Sequence, residues 1–246
     1  MVRVVLWSVA GLWLTMGVAA AEGTVHAFIG GWAYDISGTT TTTTTTTERY
    51  NLKDDLGLKV SDRKSYALGY TPAGSGWVPA LEFDYVHVAA EGMQTVSTGL
   101  LGGSTVVDNR TDVDDYELTL RWPWQRGDFT LAGGLTLAAL NGVVVVADAD
   151  TGQQQTQKVD EIFPRLSLAL AWQPLPSLRF SLSGDYVQYN DNRADALEAR
   201  VFWKCLGPIG LEGGYRQRRY KIRDPMNDLD ARVAGARIGV RMDLPY

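Results

Sequence analysis

The side chains best suited to acid–base chemistry in this chain are its two histidines, His26 and His87. A histidine acts as a general base when a neighbouring carboxylate orients its ring. Asp84 lies three residues before His87, and an odd spacing along a strand puts two side chains on opposite faces. They cannot act together, so we predict that His87 is an interfacial side chain and that the chain has no catalytic residue.

Acidic pairs could supply a second kind of chemistry, the binding of Ca²⁺ through carboxylate oxygens. Three Asp-x-Asp pairs lie in polar segments: Asp112 with Asp114, Asp148 with Asp150, and Asp228 with Asp230. A solvated acidic loop has the same composition, and we favour that interpretation. The sequence has no zinc-ligand spacing and no phosphate-binding glycine loop, and its single cysteine, Cys205, has no disulfide partner. We therefore expect no metal site and no cofactor.

The most informative polar side chains are charged residues that alternate with apolar residues. In a closed sheet with an apolar outer face they would point into the lumen. The predicted lumen charge network contains thirteen residues: Glu82, Asp84, Glu117, Arg121, Arg165, Arg179, Asp185, Glu198, Arg200, Glu212, Arg216, Arg237 and Arg241. Four more share this parity: Asp115, Lys204, Arg218 and Asp243. Eight acidic and nine basic groups nearly cancel, which favours an interlocked network. The alternative is a narrow polar pore whose arginines act as a filter.

Segments with a two-residue period position these side chains, and we predict ten such strands. They cover residues 24–38, 64–71, 77–89, 113–124, 128–142, 162–173, 178–190, 194–206, 209–222 and 231–246. Short turns with Pro or Gly follow the even-numbered strands, and most other connections are longer. An even strand count with loops sorted by length is typical of outer-membrane barrels. We predict an all-β, transmembrane, antiparallel up-and-down β-barrel of ten strands, with eight as the alternative.

Tryptophans beside the short turns support this architecture. Five of them share the apolar parity and would form one aromatic girdle at the periplasmic interface: Trp77, Trp122, Trp124, Trp172 and Trp203. Candidates for a second girdle are Tyr34, Tyr85, Tyr116, Tyr186 and Tyr215. Phe28, Trp32 and Tyr34 share one face of the first strand. The last strand alternates Ile238 and Val240 with arginines and ends on an aromatic residue.

The ends of the chain and one biased segment complete the organisation. Residues 1–21 have one basic residue, Arg3, an apolar run and a small-residue end, which predicts a cleaved signal peptide. Without Arg3 the chain has 22 basic and 28 acidic residues, a net charge of −6 that excludes a nucleic-acid footprint. Nine threonines at 39–47 predict a mobile, extracellular, Thr-rich loop covering 39–63, with a turn or short helix at 50–58. Residues 22–246 would form one barrel domain.

Across most of residues 22–246 the sequence resembles small proteobacterial outer-membrane β-barrel proteins. GGWAYDISG (30–38), DDLGL (54–58), PALEFDYVHV (79–88) and the closing strand are similar to one such family, of about this length and without an assigned activity. The resemblance implies a location in the outer membrane with both termini in the periplasm. It implies no catalytic residue.

The expected function is a non-enzymatic envelope protein with a structural or surface-interaction role. The alternatives are a narrow channel for small polar solutes and an outer-membrane enzyme. An omptin-like protease needs an Asp-x-His motif that is missing here, and a lipid A modifying enzyme would need a serine beside its histidine. Expected partners are outer-membrane lipid, lipopolysaccharide and the barrel-assembly machinery, which would bind the C-terminal strand. We expect no nucleic acid partner and a monomer.

Overall fold

The chain forms antiparallel strands throughout the residues that the computed structural model describes, which are 22–43, 47–54, 59–73, 77–96, 105–148, 154–223 and 227–245. The strands are β1 (Gly23–Thr43), β2 (Thr47–Asn51), β3 (Lys59–Asp62), β4 (Lys64–Pro72), β5 (Ala80–Val96), β6 (Thr105–Arg126), β7 (Phe129–Asp148), β8 (Gln154–Leu175), β9 (Leu178–Tyr189), β10 (Asn192–Leu206), β11 (Ile209–Arg223) and β12 (Asn227–Pro245). Within this part of the chain, no helix has the length and apolarity to span a membrane.

Ten of these strands form a closed ring. β4 to β12 pair in sequence order, and β1 lies between β4 and β12 and closes the barrel. β2 folds back on the upper part of β1, and β3 continues the line of β4 along β5. The prediction of an all-β barrel with ten strands is confirmed, and the eight-stranded alternative is wrong.

The pairing register fixes the tilt of the strands. Directly opposed residues, followed once around the ring, are Leu244, Val25, Tyr70, Leu81, Leu120, Leu135, Leu166, Tyr186, Asp195, Arg219 and Arg232. This path leaves β12 at Leu244 and returns to the same strand at Arg232. The displacement along β12 is the shear of the barrel, which is 12 residues. With ten strands about 4.8 Å apart and about 3.3 Å per residue, the tilt is about 40°, as in outer-membrane barrels.

Apolar side chains cover the outside of the ring near its turn-rich end. Leu131, Leu135, Leu166, Leu168 and Leu170 are all about half exposed or more. A continuous band of exposed leucines would cause a barrel in water to aggregate. The band therefore marks the surface that contacts lipid.

Three segments predicted as loops are strands, which corrects the sequence-based boundaries. Thr39–Thr43 of β1 pair with Thr47–Asn51 of β2, so this part of the Thr-rich segment is a hairpin. β5 and β6 pair up to Val96 and Thr105, and β7 and β8 up to Ala147 and Gln154. Threonine and valine are β-branched and fit a pleated sheet whether or not they alternate with polar residues.

The predicted turn or helix at 50–58 is, in its described part, a strand end and a turn. The side-chain oxygen of Asn51 accepts hydrogen bonds from the backbone N–H groups of Lys53 and Asp54, at 3.0 and 3.1 Å. This Asx turn replaces the backbone hydrogen bonds that a helix would offer. Residues 55–58 lie outside the described part of the chain.

At the end of the barrel opposite the short turns, some strands extend further than others. The β9–β10 hairpin turns tightly at Asn190, whose φ is 52°, and Asp191. β8 pairs with β9 only up to Leu166 opposite Tyr186, although β8 continues to Gln154. Pro164 lies just beyond the last pair and lacks the N–H that a ladder needs, so it suits an open edge. β5 to β8 therefore rise above β9 and β10.

Candidate functional site: the lumen charge network

The structure places all thirteen residues of the predicted network in the barrel interior, where each is at least partly buried. Each makes an ion pair with a side chain of opposite charge. Asp115, Arg218 and Asp243 join the same network. Lys204, which shares their parity, is exposed at the mouth of the barrel near the short turns instead.

Asp84 on β5 is the hub of the network. Its two oxygens accept a bidentate pair of hydrogen bonds from Arg216 on β11, at 2.7 and 2.9 Å. Arg237 on β12 lies 3.4 Å from the same carboxylate. Glu198 on β10 binds both arginines at 2.9 Å. These four buried side chains cross the lumen from β5 to β10, β11 and β12, and bidentate Arg–carboxylate pairs fix their geometry.

A second group lies above the hub, on the β6 and β8 side. Glu117 binds Arg165 on β8 and accepts a hydrogen bond from Arg218 Nη2 at 2.5 Å. Arg218 also binds Asp115, which accepts a hydrogen bond from the Tyr220 hydroxyl at 2.9 Å. Arg165 and Arg218 are almost completely buried. Their positive charges are stable there only because each meets a carboxylate.

Two further groups lie towards the turn-rich end of the barrel. Arg121 lies 3.3 Å from Glu82 and 3.5 Å from Asp185. Arg200 binds the other oxygen of Glu82 at 2.7 Å. The lowest group consists of Arg241 between Asp243 (2.6 Å) and Glu212 (3.0 Å), and of Arg179, which is 3.3 Å from Asp243.

Aromatic rings inside the lumen complete the network, and the sequence did not identify this role. The guanidinium of Arg237 lies 3.8 Å from the centre of the Phe28 ring. Arg216 and Arg218 both face Trp32, at 5.9 and 5.7 Å. These rings solvate the cations through their quadrupoles where no further carboxylate is available. The signal was the shared parity of Phe28, Trp32 and Tyr34, but which face of β1 points inward follows only from its pairing with Arg241 and Arg237.

Little space remains among these side chains. The cavity within the network has a volume of about 20 Å³ and is lined by charged groups that include Glu82, Arg121, Asp185 and Arg200. A cavity of this size holds about one water molecule. At this cavity, the described part of the network leaves room for about one water molecule.

Above the network the interior changes character. One apolar cluster joins β1, β5, β12 and the residue that follows β2, and it contains Trp32, Tyr34, Ile36, Leu52, Val86, Val88, Ala90 and Val233. A second lies on β7, β8, β10 and β11 and contains Ala138, Leu140, Phe163, Ala194 and Tyr220. In its described part, the upper lumen is thus lined mainly by packed apolar side chains.

The predicted aromatic girdle residues lie on the outside near the turns. Trp77 is 95% exposed and precedes β5, and its carbonyl oxygen accepts a hydrogen bond from Trp122 Nε1 at 3.2 Å. Trp124, Trp172 and Trp203 are also exposed. The second girdle contains four of the five suggested tyrosines, with Tyr85 and Tyr116 in contact at 5.0 Å.

Tyr34 does not belong to that second girdle, and its assignment there is wrong. It is 6% exposed, it lies inside the barrel beside Trp32, and its hydroxyl lies 3.4 Å from the carbonyl oxygen of Ala89. The cause is the orientation of β1, whose aromatic face points inward.

His87 has an acidic partner on the neighbouring strand that sequence spacing did not reveal. It lies directly opposite Asp114 of β6, and its Nδ1 is 3.0 Å from Asp114 Oδ1. Asp114 also accepts a hydrogen bond from the Tyr85 hydroxyl at 2.8 Å. The other ring nitrogen of His87 faces Asp112 at 3.9 Å. The pair lies on the outer face, at the level of the tyrosines.

No protein-family model and no curated protein sequence matches the chain. Among solved structures it is similar to Ail of Yersinia pestis in complex with the heparin analogue sucrose octasulfate, with 13% identity over 91% of this chain and 99% of that chain and a TM-score of 0.40. It is also similar to the translocator domain of autotransporter NalP from Neisseria meningitidis (11%, 98% and 95%, TM-score 0.43). A third is OprG from Pseudomonas aeruginosa (14%, 92% and 96%, TM-score 0.37). Independently of these likenesses, the closed ring of antiparallel strands and the apolar belt on its outside have the architecture of an outer-membrane β-barrel protein.

Proposed function

We propose that this protein is a non-conducting outer-membrane barrel with a structural or surface-interaction role. The observation that carries the proposal is the layer of ion pairs around Asp84, which crosses the lumen and leaves a cavity for about one water. A conducting path needs hydrated space along its whole length. Here the charges that would line such a path bind each other.

The balance of charges supports closure. The sixteen buried network groups comprise eight carboxylates and eight guanidinium groups, so the lumen has no net charge that would attract one sign of ion. Removing paired ions from water is costly, and good geometry with additional hydrogen bonds offsets that cost. Arg121 shows such bonding, because its Nε also donates to Ser167 at 2.8 Å.

The surface role rests on the strands that project beyond the lipid-facing band. Gln154 lies eighteen residues above Trp172 on β8. At about 3.3 Å per residue and a strand tilt of about 40°, the distance from Trp172 to Gln154 corresponds to a height of about 45 Å. The apolar band of an outer-membrane barrel is about 25 Å tall. β5 to β8 therefore extend about 20 Å further. Their outward residues there, such as Thr156, Lys158 and Asp160, are exposed and polar.

The proposed orientation follows from the same geometry. β1 begins and β12 ends at the tryptophan side, which is the periplasmic side in such barrels. Residues 1–21 would then be the cleaved signal peptide, and the hairpin of β1 and β2 would face the medium. A protease site inserted after Thr43 should be cut in intact cells. Cutting only after the outer membrane is breached would invert the orientation.

An enzymatic role would have to use His87 and Asp114. Within the described residues, the ring of His87 lies between two carboxylates, and no serine or threonine hydroxyl is hydrogen-bonded to it. The arrangement orients an imidazole but supplies no nucleophile of its own. For this reason we propose a non-enzymatic function.

Single-channel recording on the refolded protein tests the proposal. We expect no conductance steps from the unmutated barrel. The double variant Asp84→Ala with Glu198→Ala removes both carboxylates that hold Arg216 and Arg237, and it should conduct. Asp112→Ala, on the outer face, is the matched control and should remain silent. Steady conductance through the unmutated protein would replace our proposal with the narrow-channel function.

A further inference from the structure

We propose that the outer face of β10 to β12 binds the phosphate groups of a phosphorylated glycolipid of the outer leaflet, through Arg219, Lys221 and Arg232. The inference does not depend on whether the lumen is closed. It rests on the height of these side chains, on their pairing register and on the incomplete pairing of the basic side chains with carboxylates.

The basic residues lie where lipid headgroups begin. Arg193 is ten residues above Trp203 on the same outward face of β10, a height of about 25 Å at the observed tilt. The apolar band of an outer-membrane barrel is about 25 Å tall. Arg219 lies opposite Asp195, the next outward residue, and therefore near the same level.

The register brings like charges together. Arg219 of β11 and Arg232 of β12 are directly opposed, and Lys221 lies two residues above Arg219 on the same face. Like charges placed directly opposite each other on a sheet are destabilising. An anion between them converts that repulsion into attraction. Phosphate fits this arrangement, because a guanidinium presents a planar fork of donors and an ammonium a compact charge.

Only some of the basic side chains on this surface form ion pairs with carboxylates. Arg219 makes a two-point contact with Asp230, at 3.0 and 2.9 Å. Arg232 instead donates a hydrogen bond to the neutral side chain of Gln217 at 2.5 Å. Lys221 lies opposite Asp230, whose two oxygens bind Arg219, and neither Arg232 nor Lys221 makes an ion pair among the described residues. Two cations therefore remain available beside the lipid.

The opposite side of the barrel has the reverse charge. At a similar level, the outward residues of β6 include Asp112 and Asp114, with Arg110 above them as a basic neighbour. A phosphate would be repelled there. Charge complementarity thus directs a phosphorylated headgroup to the β10–β12 side, where Leu197 and Tyr215 lie exposed below for its acyl chains.

Binding of lipid A in detergent micelles tests the proposal. The probe is bisphosphorylated lipid A, compared with the same molecule after enzymatic removal of its phosphates. We expect the unmutated protein to prefer the phosphorylated form by about tenfold or more, since each basic residue near an anionic lipid surface contributes about fivefold. Equal binding of the two forms would overturn the proposal without any variant.

Variants locate the site. Lys221→Gln with Arg232→Gln should weaken binding of bisphosphorylated lipid A by about tenfold or more. The matched control, Arg110→Gln with Lys158→Gln, removes two exposed basic residues elsewhere on the outside and should bind like the unmutated protein. Heat-modified gel mobility shows that each barrel has folded. If both pairs of substitutions weakened lipid A binding equally, the effect of charge would be nonspecific. If inorganic phosphate displaced all of the bound lipid A, the site would be one for free anions. Either result would contradict a headgroup site.

Discussion

The barrel wall at the level of the membrane and the wall above it have opposite polarity. On β8 within the membrane, Leu166, Leu168 and Leu170 point outward, and Arg165 and Ser167 point inward. Above Ile162 on the same strand, the outward residues Asp160, Lys158 and Thr156 are polar, whereas Phe163 and Val159 belong to an apolar interior cluster.

β5 shows the same inversion. Leu81, Phe83 and Tyr85 alternate with the inward carboxylates of Glu82 and Asp84. Only two residues later, Val86 and Val88 are the buried inward residues. The strand does not change its register, so the change lies in the sequence and not in the backbone.

The difference shows which medium surrounds each part of the wall. Where lipid covers the outside, apolar residues face out and the lumen holds polar groups that are paired with each other. Where water covers the outside, the wall behaves as a soluble barrel, with polar residues outside and an apolar interior. The inversion therefore marks the outer boundary of the membrane to within a few residues.

The largest expected effect on the unfolding free energy comes from a substitution in the charged lumen at the level of the membrane. Asp84→Ala removes the bidentate partner of Arg216 and a neighbour of Arg237 in a nearly dry site. Leaving a buried charge uncompensated costs about 3–5 kcal/mol. Urea unfolding in lipid vesicles, followed by tryptophan fluorescence, should show this loss. Asp112→Ala on the outer face should cost less than about 1 kcal/mol, and equal losses in both variants would contradict a dry lumen.

A substitution with an intermediate expected effect on the unfolding free energy tests where the membrane boundary lies on the barrel wall. Leu168→Arg puts a charge on the lipid face near the middle of the band, at a cost of about 2–4 kcal/mol. Thr156→Arg, on the same outward face of β8 above the inversion, should change the unfolding free energy by less than about 0.5 kcal/mol. The same unfolding assay compares them. If Thr156→Arg were equally damaging, the upper wall would also lie in lipid.

The sequence predicted the membrane-level half of the structure well and the upper half poorly. Alternation identified β9 to β12 almost to their ends, because one face is uniformly apolar there. Residues 143–146 are four valines that face both sides, and residues 90–96 mix polar and apolar side chains without a clean alternation, so both segments were predicted as loops. Pairing with the neighbouring strand decides their conformation, and pairing is not visible in the composition of one segment.

The inward charges were predictable and the inward rings were not. Arg216 and Glu198 lie on the charged parity of strands whose other face is apolar, so both faces were identified correctly. On β1 the face opposite Trp32 carries Ala33, Asp35 and Ser37, which made the aromatic face resemble a lipid-facing one. That aromatic face points inward because the arginines of β11 and β12 are solvated by its rings.

The smallest expected effect concerns the outer face above the inversion, where water screens charges. A hydrogen bond from Arg219 holds the pKa of Asp230 below its ordinary value, against a smaller opposing effect of burial. Because the folded state lowers this pKa, the pair contributes stability at neutral pH that disappears as the pH falls below about 4. Both groups are about one-third exposed or more, so the contribution is less than about 1 kcal/mol. Asp230→Asn should therefore lower the unfolding free energy slightly at pH 7 and match the unmutated protein near pH 3. A loss as large as that of Asp84→Ala would mean that the outer face above the inversion is as dry as the lumen, and the comparison of the two halves would fail.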